Sequence, residues 1–559
     1  MNFICFDTED DSKELLQAGK SGFDKQVTQI AAATAEGKRF YNRGNRKEFL
    51  DWLERQSEKY VYAHNLQYDL GNLFSKQLDV LDLVLVGGRV IKATWGNKIF
   101  VDSFNIWPMS AKKLGEAFGL EKLETSSMST DKDYVFRDVE IIRQAMLFAW
   151  EFCNGLQVNN LPPTLGSLAV KVWQHFGGEN CHDSTELSRE AYYGGRVELF
   201  KQTNDSENVC WTDINSLYPS VMLKEFPGVL ECWNKHDLPK YGVAKVTIKV
   251  PETEIPVLPY RNGEGRIYYP WGTFTGSWTV AEINAAVARG AKIVKVLDCM
   301  GTNEATRPYV DYVTKLYDAR LGSKSDAEKL FFKLLLNNLY GRIGSAGKIG
   351  RSIWQTTENQ FDGVPYGEKV LVEYQMPLSE ETNWSHAAYV TAYGRLELLR
   401  FMETIGANRM IYCDTDSCIF DTTGNIPFPT GSKLGMMKIE QMCFSCNGHW
   451  TAKPPCCNHP DRKPVDFWKN CQTYAPKMYQ AGKTFKAKGV PQRLAKEYIQ
   501  TGKAEFDLPF KLRESIQFYD RANVKELSVW RRIQKENLQT YDRKKLVGNR
   551  FFPCKVNEV

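Results

Sequence analysis

The chain has 559 residues, too many for one compact core, so two to four domains are expected. With 43% hydrophobic and 25% charged residues it has the balance of a soluble globular protein. No apolar run approaches the length of a membrane-spanning helix, so no membrane partner is expected. The net charge of +5 is too mild to announce nucleic acid, but residues 521–559 carry ten Lys/Arg against four Asp/Glu. That basic segment suits phosphate contact or a solvated charged face. The aromatic content of 13% suits base stacking or large cores. The opening M-N-F-I-C-F-D has no basic leader and is not expected to be a signal peptide. With fourteen cysteines, this predicts reduced thiols in a cytoplasmic, non-secreted protein.

Residues 1–150 alternate short β-like runs, at 2–6, 59–63 and 98–101, with helical ones, and close on an amphipathic helix over 138–150. This predicts an α/β domain. A turn-rich stretch follows, with Pro162-Pro163 and Gly177-Gly178, and ends at Y-Y-G-G-R, residues 192–196. Paired glycines let the backbone approach a neighbour closely, so a hinge between domains is expected there. The second half opens with a strand over 209–212 that runs into Asp213. Residues 251–275, rich in Pro, Gly and aromatics, read as strands with turns. Residues 326–340 form a helix, and 407–420 form two short strands meeting at an acidic turn. Residues 490–559 mix short elements with many cations.

The acidic segments flank that 326–340 helix. Asp213 lies in W-T-D-I-N-S-L-Y-P-S, and Asp414 and Asp416 lie in I-Y-C-D-T-D-S-C-I. Carboxylates at the ends of adjacent strands can hold two Mg²⁺ ions roughly 3.5–4 Å apart. One ion lowers the pKa of an attacking hydroxyl and the other neutralises a triphosphate. Taken alone, Asp414-Thr415-Asp416 is more simply an acidic hairpin turn. The helix shifts the weighing. Lys329, Lys333, Asn337 and Tyr340 share one face, opposite Leu330, Phe331, Leu334, Leu335 and Leu339. Two lysines a turn apart repel unless an anion lies between them, and a triphosphate is such an anion. A solvated cationic stripe would account for the lysines but not for Asn337 and Tyr340-Gly341 continuing it.

The N-terminal region has its own acids. Asp7 and Glu9, in F-D-T-E, share one face of a strand. Asn65 and Asp69 lie in H-N-L-Q-Y-D, and Tyr134 and Asp138 sit one helical turn apart in Y-V-F-R-D. Alone, D-x-E reads as scattered surface acids.

Together these segments resemble the family B DNA polymerases. D-I-N-S-L-Y-P-S, K-L-L-L-N-N-L-Y-G and Y-C-D-T-D-S are similar to the three core motifs. Y-Y-G-G is similar to the linker motif, T-A-Y-G-R (391–395) to the template-binding motif and K-M-Y (477–479) to the primer-terminus motif. The resemblance is collinear from residue 7 to about 489. It implies an α/β plus α+β multidomain chain: an RNase H-like 3′–5′ exonuclease domain over 1–190, then a right-hand polymerase domain over 191–559. Within the latter the palm is expected at about 196–260 and 391–487, fingers at about 313–345 and thumb at about 488–559.

The resemblance also implies roles. Asp213 and Asp416 would ligate both Mg²⁺ ions (Mn²⁺ can substitute), with the Ile214 carbonyl as an extra ligand and Asp414 as an indirect contributor. Tyr218 would lie beneath the sugar and exclude a 2′-hydroxyl. Lys329, Lys333 and Arg320 would hold the incoming phosphates, and Asn337 and Tyr340 would press on the nascent base pair. Tyr192, Gly194, Gly195, Thr391, Arg395, Lys477 and Tyr479 would contact DNA. Asp7, Glu9, Asp69 and Asp138 would hold the exonuclease metals, with Tyr134 orienting a water. Lys122 would assist, and Asn65, Tyr68 and Ser103 would touch the frayed strand.

The compact length resembles the protein-primed branch of small phages, adenovirus-like viruses and linear plasmids. That branch carries two insertions in its polymerase domain, here expected at about 261–312 and 346–388. It implies template and primer DNA, dNTPs and a terminal priming protein as partners, strand displacement, and a monomer. A nucleic-acid-primed or primer-independent polymerase, or a catalytically inactive DNA-binding scaffold, are the alternatives. One departure stands apart: Cys443, Cys446, Cys456 and His459 have a C-x2-C-x9-C-x2-H spacing that suits structural Zn²⁺, with His449 and Cys457 as substitutes, or else form a loop with incidental thiols.

Overall fold

The computed structural model describes residues 2–11, 26–74, 80–86, 89–124, 131–179, 181–202, 209–234, 236–263, 265–345, 350–356, 364–366, 369–375, 378–422, 426–443, 471–475, 478–481, 484–487, 507–511, 528–532 and 544–556. The chain divides into two compact units. One comprises Met1–Gly178, Thr314–Ser379 and Leu508–Arg531; the other comprises Glu179–Val313, Glu380–Asp507 and Arg532–Val559.

The first unit is built on a ten-stranded sheet. At its centre Phe3–Asp10 runs parallel to Tyr60–Ala63, which runs parallel to Lys98–Asp102. Parallel strands are covered on both faces, which is why F-I-C-F is a continuous apolar run rather than an alternating one. Ile4, Phe6, Phe49, Val61 and Phe100 form the core beside these strands. The helix Lys132–Gly155 starts six residues earlier than its apolar period suggests. Asp131 caps it, its side chain accepting from the amides of Asp133 and Tyr134.

The helix Asp326–Ile343, capped by Ser325, belongs to this first unit rather than to a body confined to residues after 190. Phe331 is the reason. Its ring lies 5.1 Å from Trp107, 5.2 Å from Phe148 and 5.0 Å from Phe152, centroid to centroid. Gly166, on the helix Leu165–His175, lets the same helix come close, since a Cβ there would lie 3.2 Å from Arg342 Cβ. The strand Gly350–Thr356 pairs antiparallel with Asp82–Val86. The segment expected to loop away from the palm thus prolongs the first unit's sheet.

The second unit holds a five-stranded sheet in the order Met437–Cys443, Val209–Ile214, Ser417–Asp421, Met410–Asp414, Val197–Leu199. A four-stranded sheet accompanies it, formed by Glu231–Cys232, Lys292–Thr302, Tyr241–Val250 and Gly272–Thr279. The helix Trp384–Ile405 is buried along most of its length and begins inside the expected second insertion, because the Asn383 side chain accepts from the His386 amide at 2.8 Å. The C-terminal hairpin, Lys544–Val547 and Arg550–Pro553, docks on this unit: Gln202 N donates to Asn549 O at 2.7 Å and Phe551 N to Phe200 O at 2.9 Å. Two cations of the basic segment are therefore spent within the protein. Lys544 pairs with buried Glu198, and Arg550 donates to the carbonyls of Ala407 and Asn408. Among the described residues no helix is long and apolar enough to cross a membrane.

Phe331→Ala should destabilise the first unit by about 3–5 kcal/mol, and Phe331→Leu by clearly less. Chemical denaturation reads the difference. An alanine variant as stable as the native chain would mean that the aromatic cluster does not hold this helix.

Candidate active sites

In the first unit, the strand Phe3–Asp10 presents Asp7 and Glu9, and the helix Lys132–Gly155 presents Asp138 with Tyr134 one turn before it. One oxygen from each of Asp7, Glu9 and Asp138 lies within 4.8 Å of the others. Asp69, on the helix Leu66–Phe74, is held by the residue between the two strand acids. Thr8 donates to Asp69 Oδ1 from its amide at 3.0 Å and from its hydroxyl at 2.7 Å, and Asn72 Nδ2 donates to that hydroxyl at 3.0 Å. Asp7 Oδ2, Asp69 Oδ2 and Asp138 Oδ1 are buried oxygens without a hydrogen-bond partner.

The electrostatics agree with this crowding. Burial, then the like charges of Asp69, Asp138 and Glu9, push the Asp7 carboxyl well above its ordinary range. Burial also raises Asp69, against the pull of the Thr8 hydrogen bonds, and Asp138, against the pull of Lys122. Lys122 forms an ion pair with Asp138 and lies 4.8 Å over the Tyr134 ring. Burial alone would lower its ammonium, but Asp138 and Tyr134 outweigh it and the net shift is upward. Buried carboxylate oxygens with unspent lone pairs and one cation among four acids form a donor set that fits a hard divalent ion.

Around this cluster Asn65 is exposed, in a left-handed conformation (φ 70°), with its amide donating to Asp102 Oδ1 at 2.9 Å. Tyr68 is half-buried, its phenol raised chiefly by burial and then by Asp10. Ser103 departs from expectation. It is fully buried, donates to Ala63 O at 2.9 Å and faces His64 Nδ1 at 3.0 Å, so its hydroxyl is committed beneath the surface and does not reach a strand.

In the second unit, antiparallel register brings the acids of the five-stranded sheet together. Asp213 pairs with Ser417, and Asp414 pairs with the same residue from the other side. Ile214 N donates to Asp416 O at 2.7 Å. Asp213 and Asp416 thus stand on neighbouring chains at one end of the sheet, both half-buried. Asp414 is engaged elsewhere: Tyr412 donates to its Oδ2 at 3.2 Å and Thr415 Oγ1 to its Oδ1 at 3.1 Å. Its carboxylate supports the turn. On the strand beyond Asp213, Lys438 lies opposite it in register, with Nζ 3.9 Å from Asp213 Oδ1. The carboxylates of Asp213 and Asp416 are hard oxygen donors, of the kind that a hard divalent cation prefers.

Both acidic loops are conformationally strained. Thr415, between Asp414 and Asp416, has φ 60°, and Ser216, following Asp213-Ile214-Asn215, has φ 49°. With Asn65, they are three of the four non-glycine residues with positive φ among the described residues, and each costs about 1–3 kcal/mol. The Y-Y-G-G-R segment braces the Thr415 turn. Arg196 O accepts from Thr415 N at 2.7 Å, and a Cβ on Gly195 would lie 2.7 Å from Thr415 Cγ2. Gly394 of T-A-Y-G-R likewise clears space for Tyr218, whose ring would lie 3.1 Å from a Cβ there.

Arg395 and Thr391 do not lie where direct DNA contact requires. Both are buried; Arg395 pairs with Glu282 and donates to the carbonyls of Tyr193 and Gly194 at 2.7 Å each, and Thr391 bonds its own helix. Arg395 thereby holds the Tyr193–Gly194 segment, while the Thr391 hydroxyl is spent within its helix. Tyr192 is half-buried and Gly194 exposed. In the first unit Lys329 and Lys333 are exposed on Asp326–Ile343, with Asn337 and Tyr340 half-buried along the same stripe, and Arg320 lies on Val310–Gly322. Tyr479 lies on the strand Met478–Ala481 and Cys443 ends Met437–Cys443, while Lys477, Cys446, Cys456 and His459 fall outside the described residues.

Sequence reasoning missed Thr8, Asn72, Lys438, Glu282 and Glu198. Thr8 was recoverable, since it sits inside F-D-T-E; the others carry no local signal.

The family described as DNA polymerase type B, organellar and viral, matches residues 121–363. The DNA-directed DNA polymerase of Enterobacteria phage PRD1 is 25% identical over 432 residues, covering 70% of this chain and 73% of that protein. The DNA polymerase of Bacillus phage phi29 is 24% identical over 413 residues, covering 66% of this chain and 68% of its own. The solved phi29 DNA polymerase superposes with a TM-score of 0.70 at 16% identity, over 91% of this chain and 96% of that one. The fold is therefore that of an exonuclease-type α/β domain followed by a right-hand polymerase domain with palm, fingers and thumb. Motif order, fold and relatives agree in their likeness to the family B DNA polymerases of the protein-primed branch.

Proposed function

We propose that this DNA polymerase extends a primer with Asp213 and Asp416 as its metal-gripping carboxylates, and removes misincorporated 3′ ends at the Asp7, Glu9, Asp69 and Asp138 cluster. The observation that carries the first half is the register that sets Asp213 beside Ser417 and binds Ile214 N to Asp416 O. The second half rests on the clustered carboxylate oxygens of Asp7, Glu9 and Asp138. The exonuclease occupies about residues 1–190, and palm, fingers, thumb and the two insertions follow. Bound divalent ions would activate the attacking oxygen at each site and neutralise the phosphate it attacks.

The chain's own residues supply the positioning. In the palm, the strained turn fixes the direction of Asp416, and Ile214 offers its carbonyl beside Asp213. Asp414, held by two hydroxyls, keeps that turn in shape. Tyr218, packed on Gly394, forms a rigid floor that favours a deoxyribose. Lys329 and Lys333, with Arg320, take the phosphates of the incoming nucleotide, and Asn337 and Tyr340 meet the new base pair. Tyr192 and the Gly194-Gly195 backbone, Lys477 and Tyr479 follow the DNA. Such catalysis is orientation plus charge neutralisation, with little covalent work for the protein. In the editing site Thr8 sets Asp69, Lys122 balances Asp138, and Tyr134 holds a water in line for the terminal phosphodiester, with Asn65 and Tyr68 against the frayed strand.

The solved phi29 enzyme binds primer-template DNA and incoming nucleotides, and those are the partners proposed here, with a terminal protein supplying the first hydroxyl. The Cys443 to His459 spacing suits a structural zinc.

Asp416→Ala should lower primer extension by about a thousandfold or more while leaving degradation of a mismatched 3′ end intact, and Asp138→Ala should do the reverse. Loss of both activities in either variant would mean that the two sites are not separate. In the same assay Tyr218→Val should admit ribonucleotides, and unchanged sugar discrimination would remove that ring from its proposed place.

The raised carboxyls make a prediction about stability. A carboxyl whose folded pKa lies above its unfolded value of about 4 stabilises the fold fully only below that value and loses the contribution as pH rises through the folded pKa. Free of divalent ions, the chain should therefore melt at lower temperature as pH rises from about 4 towards neutrality on account of Asp7, Asp69 and Asp138. Asp7→Asn should raise the metal-free melting temperature at neutral pH and blunt its rise on adding Mg²⁺. A native chain whose melting is indifferent to Mg²⁺ would count against metal at this cluster.

Priming is tested with dNTPs and Mg²⁺ in the absence of any nucleic-acid primer. Labelled nucleotide joined covalently to an added terminal protein supports protein priming, and products formed without one support unaided initiation.

A further inference from the structure

We infer that Lys544, in the C-terminal hairpin, is a positioning residue for the polymerising carboxylates, acting through a buried relay of Glu198 and Arg196. The inference rests on the reading that the Asp414–Asp416 turn belongs to the polymerising site, and concerns what holds that turn in shape.

The relay is a chain of contacts within the second unit. Lys544 Nζ lies 3.0 Å from Glu198 Oε1, and the other oxygen of Glu198 forms an ion pair with Arg196. The side chains of all three are at most 2% exposed. Arg196 also donates from Nη1 to Pro256 O at 2.8 Å and lies 3.9 Å over the Tyr269 ring, and Lys544 lies 3.6 Å over the Phe200 ring. Arg196 is thus clamped on several sides, and its backbone carbonyl is the group that accepts from Thr415 N at 2.7 Å. The strand holding Arg196's neighbours reinforces this: Val197 pairs with Asp414 and Glu198 with Cys413. A left-handed threonine does not hold its conformation unaided, and its surroundings must impose it.

Buried charges of this kind are a costly way to add stability, because desolvation cancels much of the attraction. Their use is geometric. One carboxylate between two cations from distant parts of the chain defines where each must sit. Two cations on one carboxylate also leave a net positive charge in the core, which the neighbouring ring faces help to accommodate. The C-terminal hairpin therefore does more than cover the sheet edge. It delivers a cation that finishes the support of the Asp416 turn.

The test uses the full-length chain. Lys544→Met leaves Glu198 paired with Arg196, so no buried charge is orphaned and folding is expected. At a temperature well below its melting point, kcat for nucleotide addition should fall by about ten- to a hundredfold, with KM for dNTP and affinity for primer-template unchanged. Lys544→Arg, which keeps the cation, should recover most of the rate. A purely structural role would lower the melting temperature but leave kcat per folded molecule within about twofold of native, and that result overturns the inference. A measurement on the unmodified chain stands independently of whether the variant folds. In native-state hydrogen exchange, the amides of Thr415 and Phe551 should open together with one denaturant dependence. Thr415 opening while Phe551 stays protected would also overturn it. Asp416→Ala separates the two levels: extension surviving in that variant refutes the polymerising site itself, whereas extension lost there but native in Lys544→Met refutes only the relay.

Discussion

The acidic turn of the second unit depends on one short hydrogen bond, from the amide of Thr415 to the carbonyl of Arg196. Two acids separated by one residue on a tight hairpin repel each other and would relax apart. Here the turn is closed through an αL threonine, and the neighbouring strand carries the restraint. The requirement explains several sequence features at once. Gly195 must lack a side chain because Thr415 occupies the space that a Cβ would need. Arg395 is buried to grip the Tyr193 and Gly194 carbonyls, and Glu282 is buried to neutralise Arg395. Motifs far apart in the chain are thus parts of one brace.

The acidic cluster of the first unit meets the same problem differently. Its carboxylates approach from three separate elements and are packed rather than turned into place. Thr8 spends both its amide and its hydroxyl on Asp69, and Lys122 offsets Asp138. What remains is an excess of negative charge over buried, unpartnered oxygens. Each acidic site is thus given one nearby lysine, Lys122 beside Asp138 here and Lys438 near Asp213 in the second unit, but only here are several carboxylate oxygens left buried without a hydrogen-bond partner among the described residues.

Much of this was legible in the residues. The alternation of apolar runs marked the strands around Asp7, Asp213 and Asp416, and the apolar period marked the helix bearing Lys329 and Lys333, because these elements bury one face against a core of their own. Nothing local marks Asp131 and Asn383 as caps, so the helix Lys132–Gly155 is expected six residues late and the helix Trp384–Ile405 is not expected at all. Ser103, Thr391 and Arg395 look like surface polar groups in a motif. Burial turned them inward, where their hydrogen bonds serve the scaffold. Phe331 was read as core, but nothing local says that its core is made by Trp107, Phe148 and Phe152.

By itself the sequence determined the family that the chain resembles, the order of its motifs and the identity of the acids, since these depend on residue type and local spacing. Tertiary structure alone decided that the Asp414 carboxylate is engaged by Tyr412 and Thr415 and that Thr8 holds Asp69. It also decided that the Phe331 helix packs with the N-terminal unit and that the last hairpin reaches back to the strand of Glu198. Those outcomes arise from strand register and side-chain complementarity between segments hundreds of residues apart, and no short window of sequence encodes such pairings.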